Sequence, residues 1–346
     1  MNQDLLIRLS EVSGVSGDEG RVRQLLAEAL RPRADRLHAD SMGNLYVENE
    51  PAPGGRADFR VMVAAHMDEV GLMVTGIESS GVLAFEAVGG IDARVLVSQP
   101  VRIGDRGVPG LIGLKPPHLS APAERGQSPS IKGLRIDIGA SSKAAASESV
   151  KLGDRVCFDT RVLDLGPTLL GKAFDDRGGC AMLAELLEDR YAFALHGVFT
   201  VQEEVGLRGA RVAAHAIAPQ AAFVLECGTT DDAPKEIDDT PVMRLGAGPA
   251  ITVMDRSMVA DARLVRHLID TAEAEGIPYQ VRAPKGGGTD GGRIHLSREG
   301  VPTAVVSIPC RYLHAPASLI HKSDYDNAVA LLRAALKRLT PEVVAR

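Results

Sequence analysis

One pattern recurs along this chain and few folds satisfy it: an unbroken apolar run, a polar loop, then a helix-like stretch. Arg60-Val61-Met62-Val63-Ala64-Ala65 is the first clear run. Lacking polar alternation, it fits a strand buried on both faces, as in sheets covered by helices on either side. His66 follows at its carboxyl end, the end at which open α/β sheets bind ligands. Beyond Leu170 the alternation resumes, with a helix expected near 177–187, a strand at 196–202, a helix at 209–216 and a strand at 221–226. An amphipathic helix at 261–275, a strand at 301–308 and a helix at 324–339 complete it. The expected class is α/β, a mixed or parallel sheet sandwiched by helices.

The chain opens with a helix expected over 2–12 and a turn at Ser13-Gly14-Val15. Ser16-Gly17-Asp18-Glu19 has the form of a capping box for a helix running to about residue 31. A strand pair follows over 36–48, turning at Met42-Gly43-Asn44. Between 70 and 163 the character changes. Short β-like runs (71–77, 82–87, 94–98, 134–138, 155–158) are divided by Gly and Pro turns with little helical periodicity. The expected division is therefore a catalytic domain of residues 1–69 and 164–346, interrupted by a small β-rich, barrel-like insert at 70–163. A Pro-, Ser- and charge-rich loop, 115–131, is expected to be mobile or ordered by a partner.

Composition excludes several classes. Aromatic residues are 3% of the 346, with no Trp, too few for stacking sugars or bases. A net charge of −6 supplies no basic excess for phosphates, so a nucleic-acid partner is not expected. Cys157, Cys180, Cys227 and Cys310 are far apart, which suggests neither a disulfide framework nor a zinc knuckle. With no secretory leader and no apolar stretch approaching about 18 residues, neither a membrane partner nor export is expected. The cytoplasm is the expected location.

His66, Asp175, the pair Glu203-Glu204, Glu226 and His314 all follow expected strands or lie in the loops that leave them. Any one alone would pass for an ordinary surface or capping residue. Together, imidazole and carboxylate without thiolate form the ligand mixture that suits zinc, cobalt or manganese. Acids directly after apolar strands are also costly unless a cation compensates them.

Eight stretches then carry a resemblance: AAHMDEVGLMV from Ala64, GLKPPHLS from Gly113, IDIGASSK from Ile136, GKAFDDRGG from Gly171, TVQEEVGLRGA from Thr200, GPAITVMDRSM from Gly248, GGGTDGG from Gly286 and IPCRYLHAP from Ile308. In this order and over nearly the whole chain, the sequence resembles the glutamyl aminopeptidase and tetrahedral (TET) aminopeptidase family of co-catalytic metallopeptidases, some of whose members are labelled endoglucanase M. The resemblance implies a zinc-exopeptidase-like fold and a metallo-aminopeptidase that removes N-terminal residues from peptides. It implies two divalent ions per subunit, Zn2+ or Co2+, with Mn2+ also acceptable to these ligands. Asp175 would bridge both, His66 and Glu226 would complete one shell, and Glu204 and His314 the other. Glu203 would be the general base that deprotonates the water activated by the two ions, and Asp68 would orient the His66 imidazole. The insert would mediate homo-oligomers, up to a tetrahedral dodecamer.

Two departures stand out. Cys227 follows Glu226 where family members with Glu here continue with Gly-Thr-Thr, which raises the question of an added soft ligand. Gly291 follows Asp290 where Ala is common, with Asp290 favoured as a structural residue over a substrate contact. The competing readings are a metal-dependent deacylase or carboxypeptidase on the same core and, less favoured, a glycosidase. The adjacent Glu203 and Glu204 poorly match the spaced acid pair that a glycosidase needs. The other histidines, His267 and His295 among them, have no partner pattern and are expected to be structural.

Overall fold

The computed structural model describes residues 1–119, 126–230, 232, 243–282 and 287–345. Strands β1 (Arg36–Ala39), β2 (Leu45–Asn49) and β3 (Arg56–His66) begin a large sheet. β4 (Gly71–Ile77), β5 (Leu83–Val88), β6 (Pro100–Ile103), β7 (Val108–Gly113), β8 (Arg135–Asp137) and β9 (Arg155–Phe158) then form a separate closed barrel in the order β4-β5-β8-β7-β6-β9. The sheet resumes with β10 (Leu163–Asp164), β11 (Thr168–Gly171), β12 (Phe193–Thr200), β13 (Ala221–Thr229), β14 (Ala250–Thr252), β15 (Gln280–Arg282), β16 (Thr303–Arg311) and β17 (Ser318–His321). Its order is β1-β2-β12-β3-β13-β16-β17-β11-β10, with β14 pairing β16 and β15 pairing β14.

The centre, β12-β3-β13-β16, is parallel and the strands outside it pair antiparallel except β15, which runs parallel to β14, so the sheet is mixed as expected. The helices are α1 (Gln3–Glu11), α2 (Gly20–Leu30), α3 (Lys143–Ser147), α4 (Phe174–Leu186), α5 (Arg208–Ile217), α6 (Ala262–Glu275), α7 (Gly291–Ile294), α8 (Lys322–Arg338) and α9 (Pro341–Val344). Strand alternation sorts them. Val61, Val63 and Ala65 of β3 and Phe223 and Leu225 of β13 meet α1, α2, α4, α6 and α8 in one core. Met62, Ala64, Ala222 and Val224 meet α5 and α7 in a second. Both faces of β3 are thus covered, which explains its continuous apolar run. Nearly every residue of α4 is buried, as befits a helix enclosed between sheet and neighbours.

The barrel has its own apolar core, including Leu72, Phe85, Val101, Ile112, Ile136 and Val156. The run 94–98, expected as a strand, instead begins with a 3-10 turn at Ala93–Val95, because the Asp92 carboxylate accepts the Arg94 N–H and turns the chain. Within the loop at 115–131, residues 120–125 lie outside the described part.

The capping box also differs from expectation. α2 starts at Gly20 without a side-chain cap. The Ser16 hydroxyl instead donates to Asp68 Oδ2 at 2.6 Å, and Glu19 Oε1 accepts from the Gly17 and Gln202 N–H groups. Both side chains serve the ends of β3 and β12 rather than the helix beside them. His267 and His295 bond main-chain carbonyls, of Ala335 and Gly291, at 2.8 Å each. Among the described residues no helix is long and apolar enough to cross a membrane.

Candidate metal centre

Parallel register assembles the first half of the site. His66 pairs with Thr200 of β12, and Ala64 pairs with Val224 of β13, so Glu226 comes level with His66 two residues on. His66 Nε2 lies 3.7 Å from Glu226 Oε2 and 3.3 Å from Asp175 Oδ1. Its Nδ1 stands 3.0 Å from the Asp68 main-chain carbonyl. A carbonyl only accepts, so Nδ1 carries the hydrogen and Nε2 is the nitrogen offered to the cavity.

Asp175 precedes the regular turns of α4, with φ −83° and ψ 108°. Its second oxygen lies 3.3 Å from His314 Nε2, so one carboxylate spans both imidazoles. His314, at φ +57° in the loop after β16, is also 3.3 Å from Glu204 Oε1. Its Nδ1 meets the carbonyl of Gly90 at 2.9 Å. Gly90 follows the barrel strand β5, so the barrel steadies a residue of the site.

Glu203 and Glu204 are not on an extended segment. β12 ends at Thr200, Gln202 has φ +56°, and the Gly206 and Leu207 N–H groups close a turn on the Glu203 carbonyl. The turn brings both carboxylates to one cavity. Asp68, fully buried, holds that turn: Oδ1 accepts from Glu203 N–H at 2.9 Å and Oδ2 from Glu204 N–H at 3.1 Å. The same carboxylate lies 3.5 Å from His66 Nδ1.

Two ligand-like triads result, His66/Asp175/Glu226 and Asp175/Glu204/His314, each with donor atoms within 4.8 Å of one another and sharing Asp175. A third, His66/Glu203/Glu204, overlaps them. The cluster is short of positive charge. Asp175 Oδ1, Glu204 Oε1 and Glu226 Oε1 are buried without a hydrogen-bond partner among the described residues, a costly state for carboxylate oxygens. Burial pushes the Glu203 and Glu226 carboxyls well above the usual carboxylate range. Burial opposes protonation of His314, yet contacts with Asp175 and Glu204 push its pKa up to about 11. A donor set that draws protons this strongly is chemically fitted to divalent cations.

Several supporting residues have no expected role in the sequence. Glu69, buried beneath the site, accepts Lys172 Nζ at 2.7 Å, Arg177 at 3.2 Å and the Gly14 N–H at 3.0 Å. Arg177 in turn donates to the Met67 carbonyl at 2.7 Å, which anchors the segment between His66 and Asp68. Glu69, Lys172 and Arg177 all lie inside the recognised stretches, but no spacing rule pairs them. Asp290 accepts the Thr200 hydroxyl at 2.5 Å, a bond inside the fold. Cys227 belongs to the α4-side core, and its thiol donates to the Phe174 carbonyl at 2.9 Å.

The cluster opens into a cavity of about 730 Å3 whose walls include Leu207, Thr252, Arg282, Gly288 and Thr289. A mixed sheet with helices on both faces, a barrel insert, and a His/Asp/Glu cluster at the carboxyl ends of its parallel strands define the zinc-exopeptidase class of fold. The chain matches the M42 glutamyl aminopeptidase family over residues 43–331. It is 35% identical to the lysyl aminopeptidase of Pyrococcus furiosus, covering 98% of this chain and 97% of that protein. It is 33% identical to the glutamyl aminopeptidase of Lactococcus lactis subsp. cremoris, covering 99% and 98%. The TET aminopeptidase of the marine sediment archaeon Thaumarchaeota archaeon SCGC AB-539-E09 superposes with a TM-score of 0.94 at 37% identity, over 99% of this chain and 98% of that one. The TET1 peptidase of Pyrococcus horikoshii, which can assemble into a tetrahedron or a large octahedral shell, gives 0.85 at 34% identity over 97% and 99%. The chain belongs to the M42 glutamyl aminopeptidase family, and its activity class is that of an aminopeptidase hydrolase.

Proposed function

We propose that the chain removes N-terminal residues from peptides at a two-metal site, with His66, Asp175 and Glu226 holding one ion and Asp175, Glu204 and His314 the other. One observation carries this reading: Asp175 spans both imidazoles while one of its own oxygens and one buried oxygen each of Glu204 and Glu226 have no hydrogen-bond donor among the described residues. Zn2+ or Co2+, with Mn2+ acceptable, would there polarise the scissile carbonyl and acidify the attacking water. Glu203 serves as the base. Its nearest imidazole contact is 4.0 Å, against 3.3 Å for Glu204, so it is the carboxylate freer to accept a proton. Burial raises its proton affinity, which suits a group that takes a proton from water and passes it to the leaving amine. Asp68 positions both glutamates through their N–H groups and His66 through its Nδ1 side.

Residues 1–69 and 164–346 are taken as the catalytic domain and 70–163 as an insert for self-assembly. The separate barrel core supports this division, as do the exposed Leu111, Leu114 and Leu119. A homo-oligomer, with the tetrahedral dodecamer as its largest form, and a cytoplasmic location complete the reading. Neither nucleic acid nor membrane enters it.

The test is chelator-stripped protein given back zinc, cobalt or manganese and assayed on free-amine and N-acylated substrates. Restored cleavage of free amines alone supports the aminopeptidase. Cleavage of the acylated set instead identifies a deacylase. In the Glu203→Gln variant both ions should remain bound while turnover falls by about 100-fold or more. Near-full activity would remove Glu203 from the role of base.

A further inference from the structure

The turn that carries Glu203 and Glu204 is held by side chains. β12 ends at Thr200, and the next four main-chain N–H groups each find an oxygen from a side chain elsewhere in the chain. Val201 N–H meets Asn44 Oδ1 at 3.0 Å and Gln202 N–H meets Glu19 Oε1 at 3.2 Å. Those of Glu203 and Glu204 take the two oxygens of Asp68. Asp68 is braced in turn. Ser16, 3% exposed, donates its hydroxyl to Oδ2, the oxygen that also takes the Glu204 N–H. Ser16 and Glu19 share one short segment, 14–19, which is itself fixed from two sides. Val15 pairs in parallel with Glu69, whose N–H donates to the Gly14 carbonyl at 3.0 Å and whose carbonyl accepts the Ser16 N–H at 3.3 Å. From the barrel, Arg155 donates Nε to the Ser16 carbonyl at 3.1 Å.

A strand end would place a side chain through its ladder, but past Thr200 that ladder has stopped. Where Glu203 and Glu204 point is decided instead by acceptors that cross the fold, Asp68 lying 135 residues away from Glu203. Gln202 adopts φ +56°, a left-handed backbone that a non-glycine residue keeps only when its surroundings hold it there. The Glu19 carboxylate grips that residue by its N–H. We propose that Ser16 and Glu19 are positioning residues of the reaction. Ser16 acts through Asp68 and Glu19 through Gln202, and together they aim the Glu203 carboxylate and the Glu204 oxygens into the cavity. The inference rests on the two-metal aminopeptidase reading. A displacement of about 1 Å at a reacting group can cost about 100-fold in rate, so a segment that touches neither substrate nor ion can still govern turnover.

The experiment compares Ser16→Ala with Ser10→Ala. Ser10 is also fully buried, and its hydroxyl donates at 2.6 Å to the Lys172 carbonyl, a bond as short as that of Ser16 but with no link to the turn. Each variant loses one buried hydroxyl bond, so the two should melt at similar temperatures. Activity is read at saturating metal, on whichever aminoacyl-p-nitroanilide the wild type cleaves fastest. Ser16→Ala should lose about tenfold in kcat with KM changed by less than about twofold, while Ser10→Ala keeps both. Calorimetric titration with Co2+ reads the same effect without turnover. Affinity at the Glu204/His314 position should fall by about tenfold in Ser16→Ala alone, and the His66 position should be unchanged in both variants. Glu19→Gln keeps an accepting oxygen and should retain most of the wild-type kcat, whereas Glu19→Ala should lose about tenfold. Equal kcat and equal cobalt affinity in Ser16→Ala and Ser10→Ala overturn the proposal, as does a Glu19→Gln variant that falls as far as Glu19→Ala. A wild type that cleaves no aminoacyl substrate overturns the aminopeptidase reading instead, and the cobalt titration then decides the role of Ser16. A wild type that binds no Co2+ overturns the two-metal reading and the inference with it.

Discussion

The two imidazoles of the cluster are secured by different means. His66 ends a strand inside the parallel sheet, is 2% exposed, and takes its position from register with β12 and β13. His314 lies in a loop, is 33% exposed, adopts a left-handed backbone, and leans on a carbonyl contributed by the barrel. One half of the site is therefore fixed by the sheet itself. The other depends on a turn at 202–207 and on contact with the insert. Positions on the strands of a central sheet are held more precisely than positions on loops, so the two halves should respond differently to damage.

The largest effect is expected at the two imidazoles proposed as ligands, and the size of its structural component tests the contrast. His66→Ala and His314→Ala should each cut turnover by about a thousandfold or more, equivalent to about 4 kcal/mol, with loss of bound metal measured per chain. His66→Ala should also leave a void at the end of a central strand and lower stability by about 2–3 kcal/mol. His314→Ala, at a side chain one-third exposed, should cost clearly less in a thermal melt. Equal melting losses for the two would erase the distinction between a sheet-held and a loop-held half.

Next comes Asp68, which serves both halves. Replacement by Ala removes the acceptor of the Glu203 and Glu204 N–H groups, and metal affinity or activity should drop by about 10–100-fold. A purely sheet-side role would leave the affinity at the Glu204/His314 position untouched, which metal titration can resolve.

Gly89→Ala probes the barrel's grip on the loop half. Gly89 has φ +88°, and a Cβ there would meet Val70 Cγ1 at 2.8 Å, so Ala is strained directly before Gly90 and either Val70 or this backbone has to give. Weaker binding at the His314 position by about tenfold, with the His66 position unchanged, is expected from metal titration. Loss at both positions would mean that the barrel braces the whole cluster.

The strand-held half was also the legible half. An apolar run ending in histidine, and a second ending in Glu226, announce strand ends at a sheet's binding edge; β3 does end at His66, whereas β13 runs on past Glu226 to Thr229 because its pairing with β16 continues that far. The barrel was legible only as a β-rich change of character. Its strands are short, and the side chain of Asp92 turned one expected strand into a 3-10 turn. The loop-held half was less accessible for a physical reason. Strand alternation says nothing about Glu203 and Glu204 once Gln202 turns left-handed, and nothing local predicts that Gly90 will meet His314, 224 residues away. Ser16 and Glu19 read as a helix cap because capping residues and long-range acceptors are the same residue types. Only the folded chain distinguishes them.

Cys227 gives the smallest effect and the finest test of the sheet-held half. It is adjacent to Glu226, yet alternation along β13 points it into the core beneath α4, where its thiol donates to Phe174 and burial holds its pKa well above the ordinary value. A metal-binding cysteine needs to be a thiolate facing the ligand set. Cys227→Ala should accordingly leave the metal content and the order of preference among zinc, cobalt and manganese unchanged. It should lower unfolding stability by about 1 kcal/mol, for the lost hydrogen bond and the small void. A shift of preference away from zinc in this variant would mean that the thiol reaches the ion, and that the register of β13 does not by itself decide which side chains serve the site.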